Sequence, residues 1–254
     1  MEEAVSGVRG IVLVAGVGRR LRPHTDQVPK TLLEVAPDTT ILDMALHNLA
    51  SVEISEVLLV VGFAAHRIVE RQAALETRHG VTLDFLHNDK AEDWNNAYSL
   101  WLAREHLGHG ALVINGDTVH PKSVEATLLA SRGSSILLAI DVAKSLGAEE
   151  MKVDLGTDGS VRRISKNIAP KLATGEYIGI TLVEPRAADA LTAALENTWR
   201  RDPHLYYEDG FQRFVDAGGE IGTVEVSDVT WVEVDDARDL ERAKLVACKY
   251  PVIP

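Results

Sequence analysis

The segment Ile11–Lys30, IVLVAGVGRRLRPHTDQVPK, joins an apolar strand directly to a glycine-rich loop, and this junction limits the possible folds of the chain. The apolar run Val12–Val14 is typical of a buried strand. Gly16 and Gly18 then allow the backbone to turn sharply and bring its N–H groups against an anion. In open α/β sheets, ligands bind beyond the carboxyl ends of the strands. The junction therefore predicts an α/β fold with an anion site at the end of its first strand.

Four cations follow these glycines in the same segment. They are Arg19, Arg20, Arg22 and Lys30, and two prolines stiffen the loop before the lysine. Positive side chains and backbone N–H groups around one loop suit phosphate far better than a neutral ligand. The loop is therefore predicted to hold a triphosphate.

Two familiar phosphate loops do not fit this segment. A Walker loop has a lysine after its last glycine, whereas Arg19 follows Gly18. The dinucleotide fingerprint has glycine or alanine where Leu21 stands, and an acidic residue after the next strand, whereas the predicted strand Val57–Val61 runs into Gly62. A simple turn with solvated arginines is the remaining alternative, and the longer pattern of Arg-Leu-Arg-Pro and Pro-Lys favours the phosphate site.

Strand and helix patterns alternate along the rest of the chain, without linker or repeat. Before residue 134, strands are predicted at 56–61, 83–86 and 111–115, and helices at 65–77 and 97–107. Beyond it, strands are predicted at 135–141, 151–155, 161–164 and 177–183, and helices near 185–196 and 208–217. Such alternation predicts a largely parallel sheet covered by helices. We expect one domain, 1–254, with halves of about 8–134 and 135–254.

The loop GVGRRLRPHTDQVPKTL resembles the opening motif of the nucleotidylyltransferases that make nucleoside-diphosphate sugars and CDP-alcohols, written roughly LAAGxGxRLxPxTxxxPK. Val14 stands where alanine is usual. Five further blocks resemble the bacterial phosphocholine cytidylyltransferase branch more closely than the sugar branch: NDKAEDWNNAYSL, VINGDT, KVDLGTDGSVRRISK, GEYIGITL and WVEVDD. The resemblance implies a Rossmann-like nucleotidyltransferase fold, a mostly parallel mixed sheet flanked by helices. Its first half binds the nucleotide, and its strand-rich C-terminal half binds the acceptor.

The same resemblance assigns the nucleotide-binding residues. In the family, the glycines and the arginine matching Arg20 hold the triphosphate, and the lysine matching Lys30 contacts its phosphates. The full predicted set is Val14, Ala15, Gly16, Gly18, Arg19, Arg20, Lys30, Asn88, Asn96, Ser99 and Asp117. The asparagines of the NDKAEDWNNAYSL block could read the edge of a base or simply cap a helix. Cytosine as that base rests on the resemblance alone.

Asp117 and Asp235 each follow a predicted buried strand and match the magnesium ligands of the family. Magnesium takes one or two carboxylates and fills its other positions with phosphate oxygens and water. Asp117 could instead close a turn, and Asp235 or Asp236 could cap a helix that begins near Ala237. We assign Asp235 to Mg²⁺ and Asp236 to the cap.

Lys166 matches a family lysine that contacts the phosphate of the acceptor, and Gly179 follows it at the expected distance. Lys152 alternates with apolar residues on a strand, so its side chain could face the cleft or solvent. The predicted catalytic residues are Arg20, Lys30 and Lys166. The predicted acceptor-binding residues are Lys166, Glu176, Tyr177, Gly179, Tyr207 and Glu208. Aromatic faces with a carboxylate suit a quaternary ammonium, although the same groups could bind polyol hydroxyls or pack in the core.

The charge balance narrows the possible partners. The chain has 38 acidic and 26 basic residues and a formal net charge of −12, which argues against nucleic acid or an anionic membrane. A single cysteine, Cys248, excludes a disulfide framework and a thiolate metal site. The N-terminus lacks the apolar core of a signal peptide, so a cytoplasmic location is expected. The oligomeric state stays open.

No nucleophilic triad is visible, and the expected reaction needs none. A phosphate monoester is mostly a dianion at pH 7 and can itself act as the nucleophile. The resemblance predicts transfer of CMP from CTP to a small phosphorylated alcohol, with phosphocholine the first expectation and Mg²⁺ as cofactor. A sugar- or cyclitol-phosphate nucleotidylyltransferase using another triphosphate is the alternative. A non-catalytic nucleotide sensor is a third possibility, which the presence of the charged motif residues disfavours.

Overall fold

The computed structural model describes residues 7–252, which form a central sheet with helices around it. The strands are β1 (Arg9–Val14), β2 (Glu34–Ala36), β3 (Thr39–Thr40), β4 (Glu56–Val61), β5 (Thr82–His87), β6 (Ala111–Asn115), β7 (Thr118–Val119), β8 (Ile136–Asp141), β9 (Lys152–Leu155), β10 (Val161–Ser165), β11 (Gly175–Val183), β12 (Ile221–Glu225) and β13 (Val232–Glu233). The helices are α1 (Ile41–Ser51), α2 (His66–Val69), α3 (Gln72–His79), α4 (Asn96–Leu102), α5 (Arg104–Leu107), α6 (Ser123–Ala130), α7 (Ala188–Arg201), α8 (Tyr207–Asp216) and α9 (Ala237–Lys249).

The main sheet of these residues has nine strands and is mixed. Its order is β10-β9-β11-β6-β1-β4-β5, with β8 also beside β11 and β12 beside β8. The strands β6, β1, β4 and β5 are parallel, and β11 is antiparallel to β6, β8 and β9. Only β10 and β11 therefore run against the common direction. The predicted mostly parallel sheet flanked by helices is confirmed.

Burial on both faces explains why the central strands read as continuous apolar runs. All nine residues of β11 and all six of β8 are buried. The helices α1 and α3 contribute to the apolar core on one face of the sheet, and α4, α7 and α8 contribute to the core on the other face. Because β1, β4 and β6 are parallel, the polar residues that follow them lie together at the carboxyl edge of the sheet.

A small ribbon outside the main sheet brings the two halves of the chain together. In it, β13 pairs with β7 so that Val232 faces Val119, and the backbone N–H of Val234 donates to the Asp117 carbonyl at 2.9 Å. The ribbon and α9 enclose a separate apolar cluster that includes Leu240. This packing fixes the segment after β13 beside the segment after β6.

Several element bounds agree with the sequence pattern, and others do not. The strands β4 and β6 have the predicted bounds. The predicted helix at 65–77 is divided into α2 and α3 by a turn at Glu70 and Arg71, and the helix at 97–107 is divided into α4 and α5 at Ala103. Sequence analysis did not predict β12, β7 or α6. Within residues 7–252, no helix combines the length and the apolar character needed to cross a membrane.

Candidate active site

A cleft of about 350 Å³ lies at the edge of the sheet where β1 and β6 end. Among the residues predicted from the sequence, Ala15, Gly16, Gly18, Arg19, Arg20, Asn96, Ser99, Asp117, Lys166, Tyr177, Gly179, Glu208 and Asp235 line it. Lys30 contacts Asp117 and Asp235 from beneath the cleft. The structure does not bring Val14, Asn88, Glu176 or Tyr207 to the cleft wall. Their roles, and those of the lining residues, stay predictions.

The glycine loop leaves β1 in a conformation that favours glycine. Gly18 has φ of 65° and precedes a 3₁₀ turn at Arg19–Leu21. A Cβ atom there would lie 3.1 Å from the Lys30 side chain, and the Thr25 hydroxyl donates to the Gly18 carbonyl at 2.7 Å. The loop is thus packed directly against the segment that carries Lys30. This contact places the Gly18 turn and Lys30 next to each other.

Four charged side chains form the centre of the site. The Lys30 ammonium lies 2.7 Å from Asp117 Oδ2 and 3.3 Å from Asp235 Oδ1, and the Arg20 guanidinium lies 2.7 Å from Asp235 Oδ2. Burial disfavours the charged form of Lys30, but the two carboxylates outweigh burial and raise the pKa of the ammonium. The lysine therefore stays charged at neutral pH.

Asp117, Glu233 and Asp235 can converge on one metal ion. One carboxylate oxygen from each lies within 4.8 Å of the others. Asp117 Oδ1 is buried and has no hydrogen-bond partner in the described part of the chain. Burial, followed by the charges of the two aspartates, raises the pKa of Glu233, so the three carboxylates repel one another without a cation. An unpartnered oxygen within an all-oxygen donor set fits a hard divalent cation.

Asp236 caps α9, as the sequence predicted. Its carboxylate accepts from the backbone N–H of Arg238 at 2.7 Å and of Asp239 at 3.0 Å, and these bonds lower its pKa. Asp235 points instead toward Lys30 and Arg20. The two neighbours are thus separated into a helix cap and a cleft residue.

The predicted base-binding residues occupy different layers. Ser99 lines the cleft, whereas Asn88 is buried behind it and donates from Nδ2 to the Ser99 Oγ at 2.8 Å. Asn96 lines the cleft, and its Oδ1 accepts from the Tyr207 backbone N–H at 2.9 Å. Asn95 is the N-cap of α4. Asn88 therefore contacts the cleft only through Ser99.

At the other end of the cleft, Lys166 and Glu208 lie near tyrosine rings. The Lys166 ammonium is 4.9 Å from the centre of the Tyr206 ring. Glu208 is 4% exposed, and its Oε2 is buried with no hydrogen-bond partner among residues 7–252. Burial raises the pKa of Glu208 to about 8. A carboxyl group with this pKa is mostly protonated at pH 7, so it can donate to a ligand hydroxyl, and it can lose its proton when a ligand cation lies beside it.

Replacement of Glu208 by glutamine is expected to make stability less sensitive to pH. The ordinary pKa of this group is 4.5 and its folded value is about 8, so the folded state binds the proton more tightly. Its contribution to stability is complete below pH 4.5 and is lost as pH rises through 8. The melting temperature of the variant relative to the native chain should therefore rise by several degrees between pH 5 and 8.5, since about 1 kcal/mol shifts it by roughly 2–4 °C. Thermal unfolding across that range measures the gap, and a constant gap would contradict the pKa shift.

Tyr177 and Tyr207 are core residues with satisfied hydroxyls. The Tyr177 hydroxyl lies 2.6 Å from Thr181 Oγ1 and 3.0 Å from the Tyr207 hydroxyl, which donates to Asn115 Oδ1 at 2.8 Å. Burial raises the pKa of both phenols well above the ordinary value, so they stay neutral. Gly179, with φ of 87°, lies so close to Asn115 that a Cβ atom would clash at 2.7 Å. The tyrosines thus form the floor under this end of the cleft.

Glu176 lies in a neighbouring cavity of about 340 Å³. Its carboxylate is 2.7 Å from the Lys144 ammonium, which also lies 4.9 Å from the centre of the Trp231 ring. Trp231 is 9% exposed and donates from its indole N–H to Asp141. The two cavities share Glu149, Glu233 and Asp235 in their linings. Glu176 and Trp231 thus both contact the Lys144 ammonium of the same chain.

Sequence analysis did not single out several residues that line the cleft. They include Trp94, Asn115, Glu149, Met151 and Glu233. Glu233 could have been found, because it lies two residues before Asp235 in an alternating strand and so shares its face. Glu149 belongs to an irregular segment, where no periodic pattern indicates direction.

A glycine loop and a carboxylate group at the carboxyl edge of a mostly parallel sheet are typical of nucleotide-binding α/β proteins. The chain belongs to the nucleotidyl transferase family, whose model matches residues 9–245. The predicted family, and with it the prediction of a nucleotidyltransferase domain, are confirmed.

Two relatives in the family are described by their activities. CMP-5'-(3-aminopropyl)phosphonate synthase of Streptomyces rubellomurinus is 31% identical over 244 residues, 93% of this chain and 38% of that protein. Choline-phosphate cytidylyltransferase of Streptococcus pneumoniae is 36% identical over 110 residues, 43% of this chain and 44% of that protein. The aligned residues thus cover less than half the length of each of these relatives.

Two solved structures share the fold. The inositol-1-phosphate CTP transferase of T. maritima superposes with a TM-score of 0.79 at 19% identity, covering 95% of this chain and 96% of that one. CTP:phosphocholine cytidylyltransferase from Streptococcus pneumoniae gives a TM-score of 0.75 at 23% identity, covering 94% and 98%. Because both identities are below 25%, these two comparisons show a shared fold and nothing more.

Proposed function

We propose that the protein transfers CMP from CTP to a small phosphate or phosphonate that carries an ammonium group, with phosphocholine as the first candidate. One observation carries the proposal: the phosphate loop, the carboxylate trio, Lys166 and Glu208 all line a single cleft. A cation and a buried carboxyl group that line the same cleft suit an acceptor with an anionic head and a cationic tail. The two relatives named for a CMP-aminoalkylphosphonate and for choline phosphate support the same acceptor class.

The proposed reaction requires positioning and charge neutralisation. An oxygen of the acceptor's phosphate attacks the α-phosphorus of CTP, a new P–O–P bridge forms, and the bond to the β-phosphate breaks as pyrophosphate leaves. Arg20 and Lys30 hold the triphosphate, and the backbone N–H groups after Gly16 surround it. Lys166 holds the attacking phosphate in line. No proton has to be removed, because the nucleophilic oxygen is already anionic.

Asp117, Glu233 and Asp235 are the residues that would hold Mg²⁺ in this proposal. The bound ion would supply positive charge to the triphosphate and the leaving pyrophosphate. Lys30 already neutralises two of these carboxylates, so the chain itself lowers their mutual repulsion before the substrates bind.

The proposed function is tested by pyrophosphate release from a panel of triphosphates and acceptors. We expect release with CTP, Mg²⁺ and phosphocholine or an aminoalkylphosphonate together, and little release without an acceptor. Sugar 1-phosphates should be used poorly, because they offer Glu208 no cation. Preference for a cyclitol- or sugar-phosphate would overturn the acceptor assignment, and equal use of all triphosphates would overturn the base assignment.

Replacement of Lys166 by alanine is expected to impair use of the acceptor. Loss of one preorganised charge at the incoming phosphate should lower kcat/KM for the acceptor about 10²-fold, with the KM for CTP little changed. Steady-state kinetics with each substrate varied in turn measure the difference. Lys171→Ala removes an exposed lysine of the same half and is the matched control. An unchanged acceptor dependence in Lys166→Ala would remove this lysine from the site.

A further inference from the structure

Lys152 is a buried cation whose partners are backbone carbonyls. Its side chain is fully buried, and its Nζ donates to the carbonyls of Gly147, Ala148 and Glu150 at 3.1, 3.1 and 2.9 Å. A carbonyl oxygen only accepts, so all three protons of an ammonium are required to make these bonds. The three N–H donors of the Lys152 ammonium are thus matched by three carbonyl acceptors.

An ammonium is costly to bury, and here hydrogen bonds to one short segment meet that cost. None of the ion pairs found among residues 7–252 involves Lys152, so the three carbonyl dipoles are its principal partners. The bonds all go to residues 147–150, which are otherwise exposed or half-buried and lack regular structure. The buried lysine therefore holds an irregular surface segment down onto the start of β9.

This segment forms the wall between the two cavities. Glu149 lies between the tethered carbonyls and lines both cavities, and Met151 lines the main cleft. The Met151 carbonyl accepts from the Tyr177 backbone N–H at 2.8 Å, which joins the wall to β11. At its other end, the Gly147 backbone N–H donates to Glu150 Oε2 at 2.8 Å. The position of Glu149 is thus set by fixed points on both sides.

We propose that Lys152 is a positioning residue for the acceptor: it fixes the 147–150 wall so that the Glu149 carboxylate and the Met151 side chain meet the acceptor's cationic end. The proposal rests on the proposed function for the identity of the acceptor. Lys152 itself lies behind the wall and touches no substrate. Its effect should therefore appear in the use of the acceptor, whereas the triphosphate loop lies on other elements.

Lys152→Met tests the proposal, because it keeps the length of the side chain and removes its three donors. We expect kcat/KM for phosphocholine to fall about 10- to 100-fold, as for a misplaced contact, and the KM for CTP to stay within about twofold. Backbone amides of residues 143–151 should exchange hydrogen faster, with β4 unchanged, because the freed carbonyls allow the segment to open. Lys171→Met, the loss of an exposed lysine, is the control for both measurements.

Equal loss of acceptor and CTP use, or unchanged exchange in residues 143–151, would overturn the proposal. If Lys152→Met does not fold, Lys152→Gln, which keeps two N–H donors on a shorter stem, is measured in the same way. Failure of both variants to fold would also overturn it, since Lys152 would then support the whole sheet. The exchange experiment needs no substrate. A native protein inactive on every acceptor would thus contradict the proposed function while the tether is still tested.

Discussion

Asp117→Asn is expected to lower turnover by about 10³-fold or more while the protein stays folded. Asparagine has nearly the same shape, but it removes the negative charge that faces Lys30 at 2.7 Å and turns one oxygen into a donor. Asp117 Oδ1 is buried and has no hydrogen-bond partner among residues 7–252, so the substitution also alters an oxygen that could bind a metal ion. Loss of one preorganised stabiliser costs about 10²–10³-fold, and the loss of a metal ligand adds to it.

The measurement is kcat at saturating CTP and acceptor, repeated over a Mg²⁺ titration. Asp235→Asn should show a similar loss, because Asp235 is the matching carboxylate from the other half of the chain. Asp236→Asn is the control, since asparagine caps a helix about as well as aspartate. If Asp236→Asn were inactive and Asp235→Asn active, the division of roles between these neighbours would be reversed.

Short-range sequence patterns predicted the central strands and the position of the glycine loop. The strands β4 and β6 are buried on both faces and are therefore continuous apolar runs, so their bounds could be found from the sequence. Gly18 and Lys30 lie in one short segment and touch in the structure, so a local pattern was enough to place them together. The charge cluster at the carboxyl edge follows from these local features and from the strand direction.

Long-range packing determined what the sequence could not indicate. The hydroxyls of Tyr177 and Tyr207 lie within hydrogen-bond distance of each other, and that of Tyr207 donates to Asn115, over sequence separations that no local pattern reveals. Their predicted contacts with the acceptor stay predictions. Glu176 lies in the second cavity because it precedes Tyr177 on β11 and so points to the opposite face, where Lys144 pairs with it. Lys152 had two predicted orientations, the cleft or solvent. The structure shows a third, beneath the segment that precedes it.

Lys30→Met is expected to lower turnover by about 10²-fold or more, because it removes the cation that faces both aspartates and the triphosphate. The side chain is 14% exposed and lies between Asp117 and Asp235, so methionine can fill much of the same space without the charge. Its pKa is raised by these carboxylates, so the ammonium is present throughout the neutral range and its loss is not reproduced by a moderate change of pH.

The same substitution should strengthen metal binding in the absence of nucleotide. In the native chain, Lys30 competes for the carboxylate oxygens, and without it the Asp117 and Asp235 charges face each other and attract a divalent cation more strongly. We therefore expect a Mn²⁺ titration of the free protein to show tighter binding in Lys30→Met than in the native chain, although turnover is much lower. Lys122→Met, the loss of an exposed lysine in the same half, should change neither quantity. Weaker metal binding together with lower turnover would mean that Lys30 supports the geometry of the carboxylates rather than neutralising them and the triphosphate.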